Sequence, residues 1–330
     1  MKVKKEYIVL GLLIVLLSAY LALRGRDRTS YRLPLLAKIS ADKIARIDIK
    51  GPDGRVELKK DQIWQLMPQA YPADGDAVQK MLEDIGGLSL TALVAESKNY
   101  QRYDLGKQNK IRIQAWSSDN KLLREFEVGK AAPSFSHTFV KIGGDGRVFH
   151  ASGNLRDQFG KKPEDLRNKT VLSFDRKQIQ EIQITKERQT TVFKRQPASA
   201  QDQQDQATPK KQVSSKDQQP VWMADKGDRV DVARIERFLA TLDKLTCDGY
   251  LEGHKKSEFL EPVFEVRLKD PKTVYRLALF APLDKKKEAH PGVSTQNDFV
   301  FFLEKWQADK VMLSPGELME KAAAVEKQIP

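Results

Sequence analysis

Asp74-Gly75-Asp76 sets two carboxylates around a glycine, which is how many calcium loops begin. A loop of the EF-hand type needs oxygen ligands at positions 1, 3 and 5, glycine at 6 and glutamate at 12. Counted from Asp74, position 5 is Val78, position 6 is Gln79 and position 12 is Ile85. The ligands are missing, so a metal loop is not expected. A helix start needs only Asp74, whose carboxylate can accept the free N–H groups of a first turn. Asp76 then adds negative charge at the positive end of the helix dipole.

The other chemically suggestive residues also fall short of a site. His137, His150, His254 and His290 show no H-x-H or H-x-x-x-H spacing, so no histidine metal cluster is expected. Ser134-Phe135-Ser136-His137 places hydroxyls beside an imidazole, but strand neighbours point to alternate faces and no orienting acid is identifiable. Gly143-Gly144-Asp145-Gly146 lies between two strand-like runs and lacks the Lys-Ser/Thr of a phosphate loop, so it reads as a hairpin turn. Lys285-Lys286-Lys287 reads as a solvated loop. The one cysteine, Cys247, excludes an intramolecular disulfide and a cysteine-based metal cage, and reads as a small buried hydrophobe. No catalytic residue, cofactor or metal is expected.

The elements that would carry these residues repeat along the chain. Ile44-Ala45-Arg46-Ile47-Asp48-Ile49 alternates as a half-buried strand does, and Ile179-Gln180-Glu181-Ile182-Gln183-Ile184 repeats the pattern (179 − 44 = 135 residues on). Val56–Lys60 and Val192–Arg195 follow as second strands, then tryptophan strands at Ile63–Met67 and Val221–Met223. The tryptophans are 222 − 64 = 158 residues apart, so about 23 residues are inserted in the second half. Residues 196–219 hold almost no large apolar side chain and are expected to form a disordered loop. Val78, Met81, Leu82 and Ile85, then Ile235, Phe238, Leu239 and Leu242, give each half an apolar helical stripe, with Asp74 and Asp231 just ahead of them.

Further strands are expected in hairpins at 110–116 with 122–128, 138–142 with 147–150, 263–268 with 274–280, and 299–303 with 310–313. A closing helix is expected in each half, Gly153–Leu166 and Pro315–Glu326. The expected fold class is α+β. It comprises two duplicated units, 38–172 and 173–330, each a mostly antiparallel sheet with packed helices, after an N-terminal segment at 1–37.

That segment is the clearest clue to location. Lys2, Lys4 and Lys5 precede an uncharged run, and Arg24, Arg26 and Arg28 follow it. Residues 7–23 would span about 26 Å as a helix, just enough to cross a thin bilayer. The run is longer than a usual signal-peptide core and no A-x-A site follows, which favours an uncleaved signal anchor. The short N-terminal tail favours placing the bulk of the chain outside the cytoplasm. The chain carries a formal net charge of +12, which admits anionic glycan or lipid headgroups as partners. Its Lys and Arg are scattered rather than blocked, as on a solvated surface. Aromatics fall on the apolar phases of strands and helices, so nucleic acid is not an expected partner.

Tyr71-Pro72-Ala73-Asp74 before an amphipathic helix resembles the bacterial family called domain of unknown function 4340. So do Tyr103-Asp104-Leu105, the strand ending Glu127-Val128-Gly129, and Asp165-Leu166-Arg167-Asn168-Lys169. The family often has glycine at the place of Asp104. The resemblance covers 40–175 well and the second half more weakly. It implies a membrane-anchored extracytoplasmic protein with tandem domains, associated with ABC-type transport or gliding-motility-like systems, and it implies no catalytic residues. The expected function is therefore that of a non-enzymatic accessory protein, in the inner membrane with its soluble part in the periplasm. A protein partner in a transporter or envelope complex is expected. The alternative is a module that holds an anionic envelope polymer in the cleft between the repeats.

Overall fold

The computed structural model describes residues 12–20, 31–196, 221–225, 227–284 and 288–320. The chain divides after Arg167 into two units, and every strand pair in both is antiparallel.

In the first unit β1 (Arg46–Gly51), β2 (Gly54–Lys60), β3 (Trp64–Met67) and β4 (Tyr71–Pro72) run as a meander into α1 (Gly75–Gly86). Then come β5 (Leu90–Ala95), β6 (Ile111–Trp116), β7 (Leu122–Ala131), β8 (His137–Ile142), β9 (Val148–Ser152) and α2 (Leu155–Phe159). The nine strands form one sheet in the order β4-β3-β2-β1-β6-β7-β8-β9-β5. Period-2 alternation drives Ile47 and Ile49 of β1, Leu58 of β2 and Ile111, Ile113 and Ala115 of β6 into the core. Val78, Met81, Leu82 and Ile85 of α1 are buried too, and the Phe159 ring of α2 meets Phe126 of β7 edge-on at 5.7 Å. Each such large apolar side chain contributes roughly 1.5–3 kcal/mol over its exposed state. A smaller cluster joins Leu105 and Ala132 to Phe139 of β8 and Val148 of β9, with Tyr100 and Tyr103 packed against it.

In the second unit β10 (Thr170–Leu172) pairs with β14 (Leu245–Thr246) as a separate ribbon. The main sheet contains β11 (Glu181–Lys186), β12 (Gln189–Gln196), β13 (Val221–Ala224), β15 (Gly249–Tyr250), β16 (Phe264–Lys269), β17 (Val274–Leu279), β18 (His290–Ser294) and β19 (Asn297–Leu303). Its order is β13-β12-β11-β16-β17-β18-β19-β15. The helices are α3 (Val232–Leu242) and α4 (Lys305–Val311), and α3 buries Ile235, Phe238, Leu239 and Leu242. A small cluster of Ala278, Phe280, Val293 and Val300 lies under Leu251 and Phe259.

Several expectations need correction. Lys310–Leu313 is not a strand. Val311 ends α4, whose buried residues are only Ala308 and Val311, too few to show a helical period in the sequence. The single helix expected at Gly153–Leu166 is two pieces, because Gly160 caps α2 and Pro163 opens a separate 3-10 turn to Leu166. Pro315–Leu318 is likewise a 3-10 turn, and the rest of the helix expected to Glu326 lies outside the described residues. Thr170–Leu172, assigned from the sequence to the end of the first domain, pairs within the second unit. Of the anchor at 7–23, only 12–20 are described, and they are helical. Among the described residues no helix is long and apolar enough to cross a membrane. Apart from Gln196, which ends β12, the insertion 196–219 lies outside the described residues, as does Lys285-Lys286-Lys287.

Candidate functional site

Asp74 is a helix cap: its carboxylate accepts the Ala77 N–H at 2.9 Å, and Asp76 sits in the first turn of α1. Asp231 does the same for α3, accepting the Arg234 N–H at 3.1 Å. Among the described residues no group of three His, Cys, Asp or Glu side chains converges as metal ligands would. Gly143–Gly146 forms the turn between β8 and β9. There Asp145 accepts the Arg147 N–H at 2.9 Å and pairs with its guanidinium at 2.8 Å. That guanidinium holds the Asp145 carboxyl below its ordinary range.

The serine–histidine stretch has part of a nucleophile's geometry without its electrostatics. Ser136 Oγ lies 3.2 Å from His137 Nδ1 and 3.0 Å from Ser134 Oγ. The neighbouring ring is another imidazole, His150, at 5.8 Å between centroids. Burial, and then the charge of His137, lower the His150 pKa. Among the described residues no carboxylate hydrogen-bonds either imidazole, so the acid that orients the base of a triad is not supplied there. Cys247 is buried, and burial pushes its thiol up to about 12, which keeps it protonated and inert at neutral pH.

The buried charges are structural. Glu127 of β7 lies between Lys110 and Lys141, with Lys141 Nζ at 2.7 Å. Glu265 of β16 is held by Arg267 Nε at 2.6 Å and by Arg276 through Nε at 2.9 Å and a second nitrogen at 2.6 Å. In both, burial pushes the carboxyl up while the flanking cations outweigh it, leaving each below the ordinary value.

One concavity was not legible in the sequence. It is a cavity of about 420 Å³ in the first unit, between the β1–β2 hairpin end and the segment from Arg156 to Pro163. Ile49, Val56, Ile111 and Phe159 supply its apolar side chains. Asp53, Arg55, Arg156, Asp157 and Lys161 supply charge. Arg55 is engaged by Asp48 at 3.1 Å and Glu57 at 3.2 Å, and Arg156 donates to the Asn109 and Gly129 carbonyls, both at 3.1 Å. The lining residues include no histidine, cysteine, serine or threonine. Such a lining combines apolar contact with charge of both signs, as a ligand site does. The size suits a small-molecule or side-chain pocket.

The motif pairs that punctuate the first unit meet in space. Tyr71–Asp74 docks on the Leu166–Arg167 segment: Asp74 N–H donates to the Leu166 carbonyl at 2.8 Å, and the Arg167 guanidinium lies 4.1 Å from the Tyr71 ring centroid. Tyr103–Leu105 packs on Gly129, where any Cβ would collide with the Tyr103 carbonyl. The model of the family described as Domain of unknown function (DUF4340) matches residues 64–262, more than half of the chain. The chain belongs to this family. Neither the curated proteins nor the solved structures gave a match. The DUF4340 match begins at Trp64 of β3 and runs through both motif pairs into the second unit. In this DUF4340 chain the motifs are packing seams, and Asp104 marks one of them with a left-handed φ of 54° that glycine would adopt without strain.

Proposed function

We propose that the chain is a non-enzymatic, membrane-anchored accessory protein that presents two copies of one fold outside the cytoplasm to a transporter or envelope complex. The observation that carries this reading is the agreement of the two sheets. The order β13-β12-β11-β16-β17-β18-β19-β15 has the same connectivity as β3-β2-β1-β6-β7-β8-β9-β5. The register agrees as well: Ile49 faces Ile113 as Ile184 faces Val266. Even a diagonal ion pair recurs with its signs exchanged, Arg112–Glu125 in one sheet and Glu265–Arg276 in the other. Such agreement supports duplication of one scaffold.

The uncharged run from Ile8 to Leu23 supports a single-pass inner-membrane anchor, and the short tail before it favours the soluble part in the periplasm. Tandem sheets on an anchor suit docking to other membrane proteins. Crosslinking followed by purification from detergent tests this, and recovery of the chain without any membrane or envelope protein would refute it. The net charge of +12 favours a second reading, the binding of an anionic envelope polymer. Retention on envelope glycans that falls steeply with salt would support that reading, and salt-independent behaviour would remove it.

A further inference from the structure

The two units treat one equivalent place differently. Register places Gly51 where the second unit has Lys186, since Gly51 faces Gly54 at the hairpin end as Lys186 faces Gln189. The short helices end alike: Gly160 N–H donates to the Arg156 carbonyl and Met312 N–H to the Ala308 carbonyl, both at 2.8 Å. Each end lies three residues before the proline that opens a 3-10 turn, Pro163 or Pro315, so Gly160 matches Met312. In the second unit the Lys186 side chain crosses this space. Its Nζ donates to the Met312 carbonyl at 2.7 Å and to Ser314 Oγ at 3.1 Å. In the first unit both matching positions are glycine, and both line the 420 Å³ cavity.

We propose that this cavity binds a primary alkylammonium group, whose methylenes take the place of the Lys186 stem and whose nitrogen takes the place of Nζ. Ile49, Val56, Ile111 and Phe159 offer apolar contact to the methylenes. Arg55 and Arg156 are already committed to Asp48, Glu57 and backbone carbonyls, and the carboxylates of Asp53 and of Asp157, which accepts from Asn154 Nδ2, also line the space. Lys161 is the remaining cation of the lining, and its charge is what an anionic ligand would use instead.

The test uses the full chain in detergent and calorimetric titration with n-butylammonium, n-butanol and butyrate. Saturable binding of butylammonium is expected, with butanol and butyrate at least about tenfold weaker. Gly51→Lys supplies the side chain internally. A Cβ at Gly51 meets Ile111 at an ordinary 3.5 Å, so the variant should fold and lose butylammonium binding by at least about tenfold. Butyrate binding as tightly as butylammonium, or unchanged binding by Gly51→Lys, would overturn the proposal. Lys186→Gly gives an independent reading in the second unit: its lowered melting temperature should rise again with butylammonium and not with butanol, and no such rescue would break the equivalence on which the proposal stands. Nα-acetyl-lysine amide identifies the source. Binding at least as tight as butylammonium marks a polypeptide lysine, and exclusion beside bound butylammonium marks a free amine. Failure of butylammonium to bind leaves the accessory-protein reading untouched, because that reading rests on the order of the strands and not on this cavity.

Discussion

Exchanging the signs of the second unit's ion pair should cost far less than breaking it. Glu265 is only 9% exposed and accepts three charge-assisted hydrogen bonds from Arg267 and Arg276. Glu265→Arg removes all three and places a third cation beside two others. Loss of one partner from a buried pair costs about 3–5 kcal/mol. Here the arginine side chains are 49% and 38% exposed, so solvent screens them and about 2–3 kcal/mol is expected. The double variant Glu265→Arg/Arg276→Glu copies the first sheet, where Glu125 accepts from Arg112 at 2.8 Å and from Gln114 at 3.2 Å. In the exchanged sheet a glutamate at 276 lies directly opposite Arg267 and diagonal to the new arginine, so the double variant should return to within about 1 kcal/mol of wild type.

Thermal unfolding measures this, at about 3 °C per kcal/mol for a unit of this size. The single variant should melt about 6–9 °C lower and the double about 0–3 °C lower. The pair also sets an acid limit. Because the folded Glu265 pKa lies below its unfolded value, its contribution is complete above the unfolded value and is lost as pH falls through the folded one. A double variant no more stable than Glu265→Arg would refute the positional equivalence of the two sheets.

Asp104→Gly should be neutral or stabilise by up to about 1 kcal/mol in urea unfolding, because it relieves a left-handed residue. Gly129→Ala should lose more than about 2 kcal/mol in the same assay, since its Cβ meets the rigid Tyr103 carbonyl. Asp74→Ala and Asp231→Ala should each cost about 1 kcal/mol as lost caps, with Asp→Asn nearly silent, read by thermal melting. Cys247 should resist iodoacetamide at neutral pH in the folded chain and react at once in denaturant, as mass spectrometry would show.

The legible parts of the fold were those with strong local periods. Ile44–Ile49 and Ile179–Ile184 alternate because one face is core, and both lie in or beside the central strands β1 and β11. The α1 and α3 stripes are visible because each buries at least four large side chains at helical spacing. What failed was short. Two buried residues do not reveal α4, and the apolar Val311-Met312-Leu313 imitates a strand. The cavity was illegible for another reason: it depends on Gly51 and Gly160, far apart in sequence, and their meaning appears only when register sets them against Lys186 and Met312. The serine–histidine contact was not legible, because strand alternation would set the groups on opposite faces whereas Ser134–Ser136 form a turn ahead of β8, and the second imidazole at His150 came from strand pairing.

The central claim, a docking scaffold on a membrane anchor, is tested most directly by photo-crosslinking in intact cells. A photoreactive residue would be placed at Phe135, 74% exposed, and in a second strain at Leu260, 80% exposed. The account predicts a discrete crosslinked band at one or both positions, containing an integral membrane or envelope protein. Crosslinks at neither position, with the chain recovered outside the membrane fraction, would contradict it.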